Sequence, residues 1–172
     1  MTKEHRTRRQ KRQDREFVRE AADIFDRRYE MSCEDIIKAF EAVENSYVEL
    51  ETEPFFVLET RRRVAEMMLK ATATKCCPLE ICRAQLDNLF RLGFTNLERK
   101  VTMCIFFAQY CRETGIAQQG IDVLESVEAE LQAELNRTGV KRREREFYER
   151  ILGQTHVTLG KLRTSLDQAK TE

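Results

Sequence analysis

The chain has 172 residues, enough for one domain that buries a core without help from disulfides or metal ions. Its thirty basic and thirty acidic residues cancel, which removes the simplest argument for a nucleic-acid-binding protein. No stretch approaches the roughly 20 apolar residues that span a bilayer, and no apolar run follows the charged N-terminus as in a secretory signal. We therefore expect a cytoplasmic protein with no membrane segment.

The composition favours helix throughout the chain. There are only two prolines and six glycines, and no run of alternating β-branched residues is bounded by turn residues. We predict an all-α protein, an antiparallel bundle or short array of about seven helices with a long C-terminal helix. Residues 1–11 are expected to form a basic flexible arm, and residues 12–172 a single helical domain.

The N-terminal arm and the second predicted helix carry opposite charge. The first predicted helix covers about residues 12–29, and residues 1–28 contain ten Lys or Arg against six Asp or Glu, with most of the basic excess in the arm. Ser32 and Asp35 resemble a capping box that starts the second helix, and residues 30–53 contain eight acids against one lysine. The basic arm can therefore bind phosphates of a nucleic acid by counterion release, or pair with the acidic helix. For the alternative of nucleic-acid binding, the predicted contact residues are Arg8, Arg9, Lys11 and Arg12.

Prolines and glycines mark the ends of the helices that follow. Pro54 is predicted to open the third helix, over about residues 55–71, and Pro78 the fourth, which Gly93 ends. The fifth and sixth helices cover about residues 96–114 and 117–136. The last, about 140–169, has leucines in heptad spacing, and we expect it to pack on the body of the protein, with dimerisation as the alternative.

Three of the six cysteines fall in the stretch KCCPLEIC, which raises the question of a metal or thiol site. A zinc ion held by this cluster would need both Cys104 and Cys111, which lie two helical turns or roughly 10 Å apart and cannot easily share one ion. We expect Cys82 to pack in the core with them. Cys76 and Cys77 are expected as free thiols at a helix start beside a lysine, which favours the thiolate, so they are an alternative thiol-sensor or metal site.

The pair of helices over residues 101–134 has small and large apolar residues in a recognisable order. These are Cys104, Phe107, Ala108 and Cys111 on the first helix, Gly115 in the turn, and Gly120, Leu124 and Val127 on the second. The pattern resembles a tetratricopeptide repeat. The resemblance implies that Ala108 and Gly120 allow a close helix approach, and that the last helix acts like the family's capping helix. No second copy precedes the pair at the 34-residue repeat period, so non-repeating helices must supply the neighbours.

Catalysis finds little support in the sequence. The two histidines, His5 and His156, have no nucleophile and carboxylate in a recognised arrangement, and we expect no cofactor. The sequence therefore predicts a non-enzymatic interaction or scaffold module that binds a protein in a groove between helices. Beside the fifth and sixth helices, the predicted contact residues are Gln109, Arg112, Asp122 and Glu125.

Overall fold

The computed structural model describes residues 8–169, and within this range the chain forms seven α-helices and no strand. The helices are α1 (Arg8–Asp26), α2 (Cys33–Val48), α3 (Pro54–Thr74), α4 (Leu79–Leu92), α5 (Leu97–Glu113), α6 (Ala117–Asn136) and α7 (Arg142–Ala169). The all-α prediction with a long last helix is confirmed. None of these helices is long and apolar enough to cross a membrane.

The first helix begins earlier than its apolar pattern suggested. It starts at Arg8, so residues 8–11, which we expected in the flexible arm, are helical, while residues 1–7 lie outside the described part of the chain. The apolar face then follows the predicted spacing, with Phe17, Ala21 and Ile24 buried. Helices start and end where local hydrogen bonds permit, which an apolar pattern alone does not locate.

Side-chain caps fix the starts of two helices. The Ser32 hydroxyl oxygen accepts a hydrogen bond from the Asp35 backbone N–H at 3.0 Å, as a helix cap requires. The Asp35 carboxylate in turn accepts a hydrogen bond from the Ser32 hydroxyl group at 2.7 Å. The short aspartate side chain therefore bonds the capping side chain. Asn96 caps α5 by accepting from the Arg99 backbone N–H at 2.9 Å.

The core consists of two apolar clusters. The first lies between α1, α2 and α3, around Phe17, Phe40 and Val64. The second and larger cluster joins one side of α3 to α4, α5, α6 and α7, and its centre includes Phe107 and Leu124. Because α3 contributes to both clusters, it connects the N-terminal helices to the α5–α7 body.

Candidate peptide-binding groove

The α5–α6 hairpin packs unusually tightly at one point. A Cβ atom built on Gly120 of α6 would lie 3.0 Å from the Cα atom of Ala108 and 3.1 Å from the Cβ atom of Cys111. Contacts this short are tighter than nine in ten Cβ contacts in proteins, so a side chain at position 120 requires its neighbours to shift by a few tenths of an ångström. Gly115 permits the connecting turn by adopting a φ angle of 77°.

The last helix covers the groove of this hairpin. Ile151, Thr155, Leu159 and Leu162 of α7 are buried at spacings of three and four, the period of one helix face. A Cβ atom on Gly120 would also lie 3.1 Å from a methyl carbon of Leu162, which places α7 directly against the close α5–α6 contact. The close crossing of α5 and α6 is therefore covered by α7.

A second groove, between α5 and α7, stays open. It has a volume of about 680 Å³, and its walls are formed by Ile105, Phe106 and Gln109 of α5 and by Gly153 and Val157 of α7. We define these five residues as the α5–α7 groove. Ile105 and Phe106 are half-buried, whereas Val157 is 60% exposed, a large value for an apolar side chain that is flanked by other apolar groups.

The groove continues towards the C-terminal half of α7. A neighbouring depression of about 620 Å³ shares Val157 with it and is lined further by Arg112, Gly160, Lys161 and Thr164. We call these four residues the basic end of the groove. No aspartate or glutamate is among the described residues that line the two depressions, although the whole chain is neutral.

The cations along this surface are weakly engaged within the chain. Arg150, which also lines the α5–α7 groove, lies 3.5 Å from a Glu98 carboxylate oxygen, and both side chains are about half exposed. Arg112 lies 3.8 Å from Glu113, its neighbour in sequence. Exposed pairs of this kind contribute only about 0–1 kcal/mol, so their cations can exchange partners at little cost.

Two glycines in the middle of α7 line this surface, and no packing contact within the chain requires a glycine at either position. A Cβ atom on Gly153 or on Gly160 would have no heavy atom within 4 Å outside its own helix. Glycine inside a helix costs roughly 0.5–1 kcal/mol relative to alanine, so each position lowers the helix stability with no gain in packing. Both glycines deepen the surface beside Val157, which lies between them.

The structure separates the four contact residues that the sequence suggested. Gln109 lines the α5–α7 groove, and Arg112 belongs to its basic end. Asp122 and Glu125 line neither depression. Asp122 accepts a hydrogen bond from the Gln118 amide at 2.8 Å, and Glu125 lies 2.9 Å from Arg163 of α7. Phe106, Gly153 and Val157 were not among the contact residues predicted from the sequence, although two glycines flanking an apolar residue inside a helix are a signal for such a surface.

The hydroxyl groups along both depressions are used locally. Four of these hydroxyls donate hydrogen bonds to the backbone carbonyl four residues earlier in their own helix; they belong to Thr102, Thr158, Thr164 and Ser165. The Nε2 atom of His156 lies 2.8 Å from a Glu128 oxygen on α6. The lining thus offers apolar contact and positive charge, and its hydroxyl groups donate to backbone carbonyls of their own helices.

The prediction of two free thiols at a helix start is wrong for Cys77. Cys77 is buried and forms a disulfide with Cys33, the first residue of α2. The Cys76–Cys77 pair lies at the end of α3, where the Cys76 N–H bonds the Ala73 carbonyl and the Cys77 N–H bonds the Thr72 carbonyl. This is the hydrogen-bond pattern of a Schellman motif, and Cys76 takes its left-handed position with a φ angle of 56°. Cys76 remains free and exposed.

The other cysteines pack in the core, as their positions in the sequence indicated. Cys82, Cys104 and Cys111 are free and fully buried. Burial raises the pKa of Cys104 and of Cys111 to about 12, and burial also raises the pKa of Cys82. These thiols stay protonated at neutral pH. Within residues 8–169, no group of three or more His, Cys, Asp or Glu side chains is arranged to hold a metal ion.

The basic residues proposed for nucleic-acid binding lie on the first turns of α1. Arg8, Lys11 and Arg12 are exposed, and Arg12 lies 3.0 Å from Glu16 one turn further on. The acidic second helix is partly engaged elsewhere, since its Glu44 lies 3.1 Å from Arg61 of α3. The backbone of Arg9 continues the same helix.

Comparisons of the chain with protein-family models, with curated proteins and with solved structures find no significant match. The tetratricopeptide resemblance therefore stays a prediction. The close approach of α5 and α6 at Gly120 agrees with its geometry but is a property of any helical hairpin with small residues at the crossing.

Proposed function

We propose that the protein is a non-enzymatic interaction module that binds a partner protein in the α5–α7 groove. The observation that carries this proposal is the open, largely apolar depression in which Val157 is 60% exposed beside Ile105 and Phe106. Concave depressions lined mainly by apolar side chains are typical of binding sites. The lining hydroxyl groups, which bond within their own helices, support binding over catalysis.

The proposal keeps part of the predicted contact set. Gln109 and Arg112 belong to the surface, while Asp122 and Glu125 are replaced by residues of α7. The partner is proposed to bury Val157 at the centre of the contact, because a fully desolvated central side chain contributes most to the free energy of an interface.

A site-specific photo-crosslinker tests this assignment in cells that produce the protein. The crosslinking amino acid replaces Val157 in one variant and Val18, an exposed valine of α1 at 38% exposure, in the control variant. We expect a discrete crosslinked protein from position 157, lost when Phe106→Glu is added, and none from position 18. Crosslinks of equal yield and identity at both positions would show that the groove has no specific partner.

Nucleic-acid binding is the second candidate, supported by the stripe of exposed cations on α1. Arg8, Arg12, Arg15 and Arg19 recur at intervals of three and four and are all exposed, so they share one helix face that can follow a phosphate backbone. The test is fluorescence anisotropy with a labelled oligonucleotide at increasing salt. Binding that weakens with salt, and that disappears when these arginines are changed to glutamate, would support this candidate; salt-independent anisotropy would exclude it.

The cytoplasmic location also remains a proposal, and the Cys33–Cys77 bond provides a way to test it. Disulfides persist mainly in oxidising compartments, whereas cytosolic thiols are kept reduced. If cells are quenched in acid and their thiols alkylated, a cytoplasmic protein is expected to show both cysteines alkylated. A bond that survives this treatment would place the protein in an oxidising compartment.

A further inference from the structure

We propose that the occupant of the α5–α7 groove is an acidic amphipathic helix of a partner protein. This inference rests on the proposed function and adds the chemistry of the ligand. Three features of the surface carry it, namely its length, its charge and the two glycines of α7.

The groove has the length of a short helix and lacks the groups that hold an extended peptide. Along α7 it runs from Arg150 to Thr164, which corresponds to roughly 21 Å at 1.5 Å per residue. Both walls are helices whose interior backbone groups already bond within the helix, so they offer no free edge for an added strand. A peptide lying here must satisfy its own backbone hydrogen bonds, and an α-helix does so.

The charge of the lining favours acidic residues on the flanks of that helix. Arg112, Arg150 and Lys161 surround the apolar centre, and the described lining includes no carboxylate. Lys161 forms no ion pair within the described residues, and the two arginine pairs, at 3.8 and 3.5 Å, are partly exposed. Glutamates of a partner can approach all three cations. In a second copy of this chain, a symmetric contact of this surface with itself would instead bring the same cations face to face, which opposes that mode of self-association.

The two glycines allow the partner helix to approach closely. Gly153 and Gly160 lie on either side of Val157, one on the α5–α7 groove and one at its basic end. Added Cβ atoms there would contact nothing within the chain. The missing side chains therefore leave room on the outer surface of α7, where a partner can approach. A helix lying along α7 over these points can place its apolar residues against Ile105, Phe106 and Val157.

The test is a display library of helical peptides about 14 residues long, the length that fills the groove. Apolar residues are fixed on one face at positions i, i+3, i+4 and i+7, and each flanking position encodes either glutamate or lysine. Peptides are selected on the full-length protein, with counter-selection on the Val157→Asp variant. Binding of the selected peptides is then measured by fluorescence polarisation at low and high salt.

We expect glutamate to be enriched at the flanking positions, with affinity that falls as salt increases. Lys161→Glu should lower the affinity for the selected peptides about tenfold, because it turns one exposed charge attraction into a repulsion. Arg143→Glu makes the same charge change on α7 outside the groove and should leave affinity within about twofold. Gly153→Ala should weaken binding while raising thermal stability, an opposition that a purely structural glycine would not show.

The remaining outcomes each overturn the inference in a distinct way. Selection of lysine-rich or charge-indifferent peptides that still require Val157 would leave the groove as a binding site but refute an acidic ligand. Absence of any peptide that depends on Val157 would refute the helical ligand, while crosslinking at position 157 in cells tests the proposed function separately. A dimer in sedimentation that dissociates on Val157→Asp would identify a second copy as the occupant.

Discussion

Reduction of the Cys33–Cys77 bond should destabilise the protein more than any single conservative substitution. The bond joins the start of α2 to the segment after α3, at a sequence separation of 44 residues. When it is intact, the unfolded chain contains a closed loop of that length and has less conformational entropy to lose on folding. Reduction keeps both side chains in place, so it isolates the effect of the covalent link.

The magnitude follows from the length of the loop. For a loop of 44 residues, the chain-entropy relation gives about 4 kcal/mol at room temperature, an upper value because the unfolded chain keeps some structure. A domain of this size is stable by only about 5–15 kcal/mol, so the loss would be a large part of the total. We expect the free energy of unfolding to fall by several kcal/mol on reduction.

The assay is urea unfolding, followed by circular dichroism, of the oxidised and the reduced protein. Reduction should lower the urea concentration at the unfolding midpoint. It should also steepen the dependence of the free energy of unfolding on urea, because an open chain exposes more surface on unfolding. The double variant Cys33→Ala with Cys77→Ala should unfold like the reduced protein whether or not reductant is present. Cys76→Ser is the control, since Cys76 is free and exposed, and it should keep the response to reductant.

Thiol counting provides the result that would refute this reasoning. The oxidised protein, unfolded without reductant, should expose four titratable thiols of its six cysteines. A count of six would mean that the bond does not form. A count of four with identical urea midpoints before and after reduction would mean that the closed loop does not limit the unfolded chain.

Three further predictions concern single positions. Cys76→Gly should raise the free energy of unfolding by about 0.5–1 kcal/mol in urea titrations, because glycine adopts the left-handed φ of 56° without strain; a loss of stability would contradict this. Gly120→Ala should lower it by about 1 kcal/mol, since overpacking against the Ala108 backbone outweighs the better helix propensity of alanine; an unchanged midpoint would refute the close contact. Iodoacetamide at about pH 8 should label Cys76 alone in the native protein, as mass spectrometry can show, because burial and pKa values of about 12 keep Cys104 and Cys111 protonated; rapid labelling of either would place it at the surface.

The candidate site was only half predictable. Gln109 is exposed and Arg112 is partly exposed on α5 beside its apolar stripe, and helical spacing locates such positions from the sequence. The same helical spacing predicts that Asp122 and Glu125 are exposed on α6. They miss the groove because α7 crosses the hairpin so that Arg163 meets Glu125, while its other edge, with Gly153 and Val157, faces α5. Spacing within one helix contains no information about which side of it a distant helix covers.

The sequence by itself determined the seven helices and most of their ends, because the spacing of apolar residues and the caps at Ser32 and Asn96 act over a few neighbouring residues. It also determined that Cys82, Cys104 and Cys111 pack in the core, since each lies on an apolar stripe. Only the tertiary structure decided that Cys77 pairs with Cys33 and that the open groove lies between α5 and α7. Both depend on contacts between segments far apart in the chain, which are set by the packing of whole helices and not by local pattern.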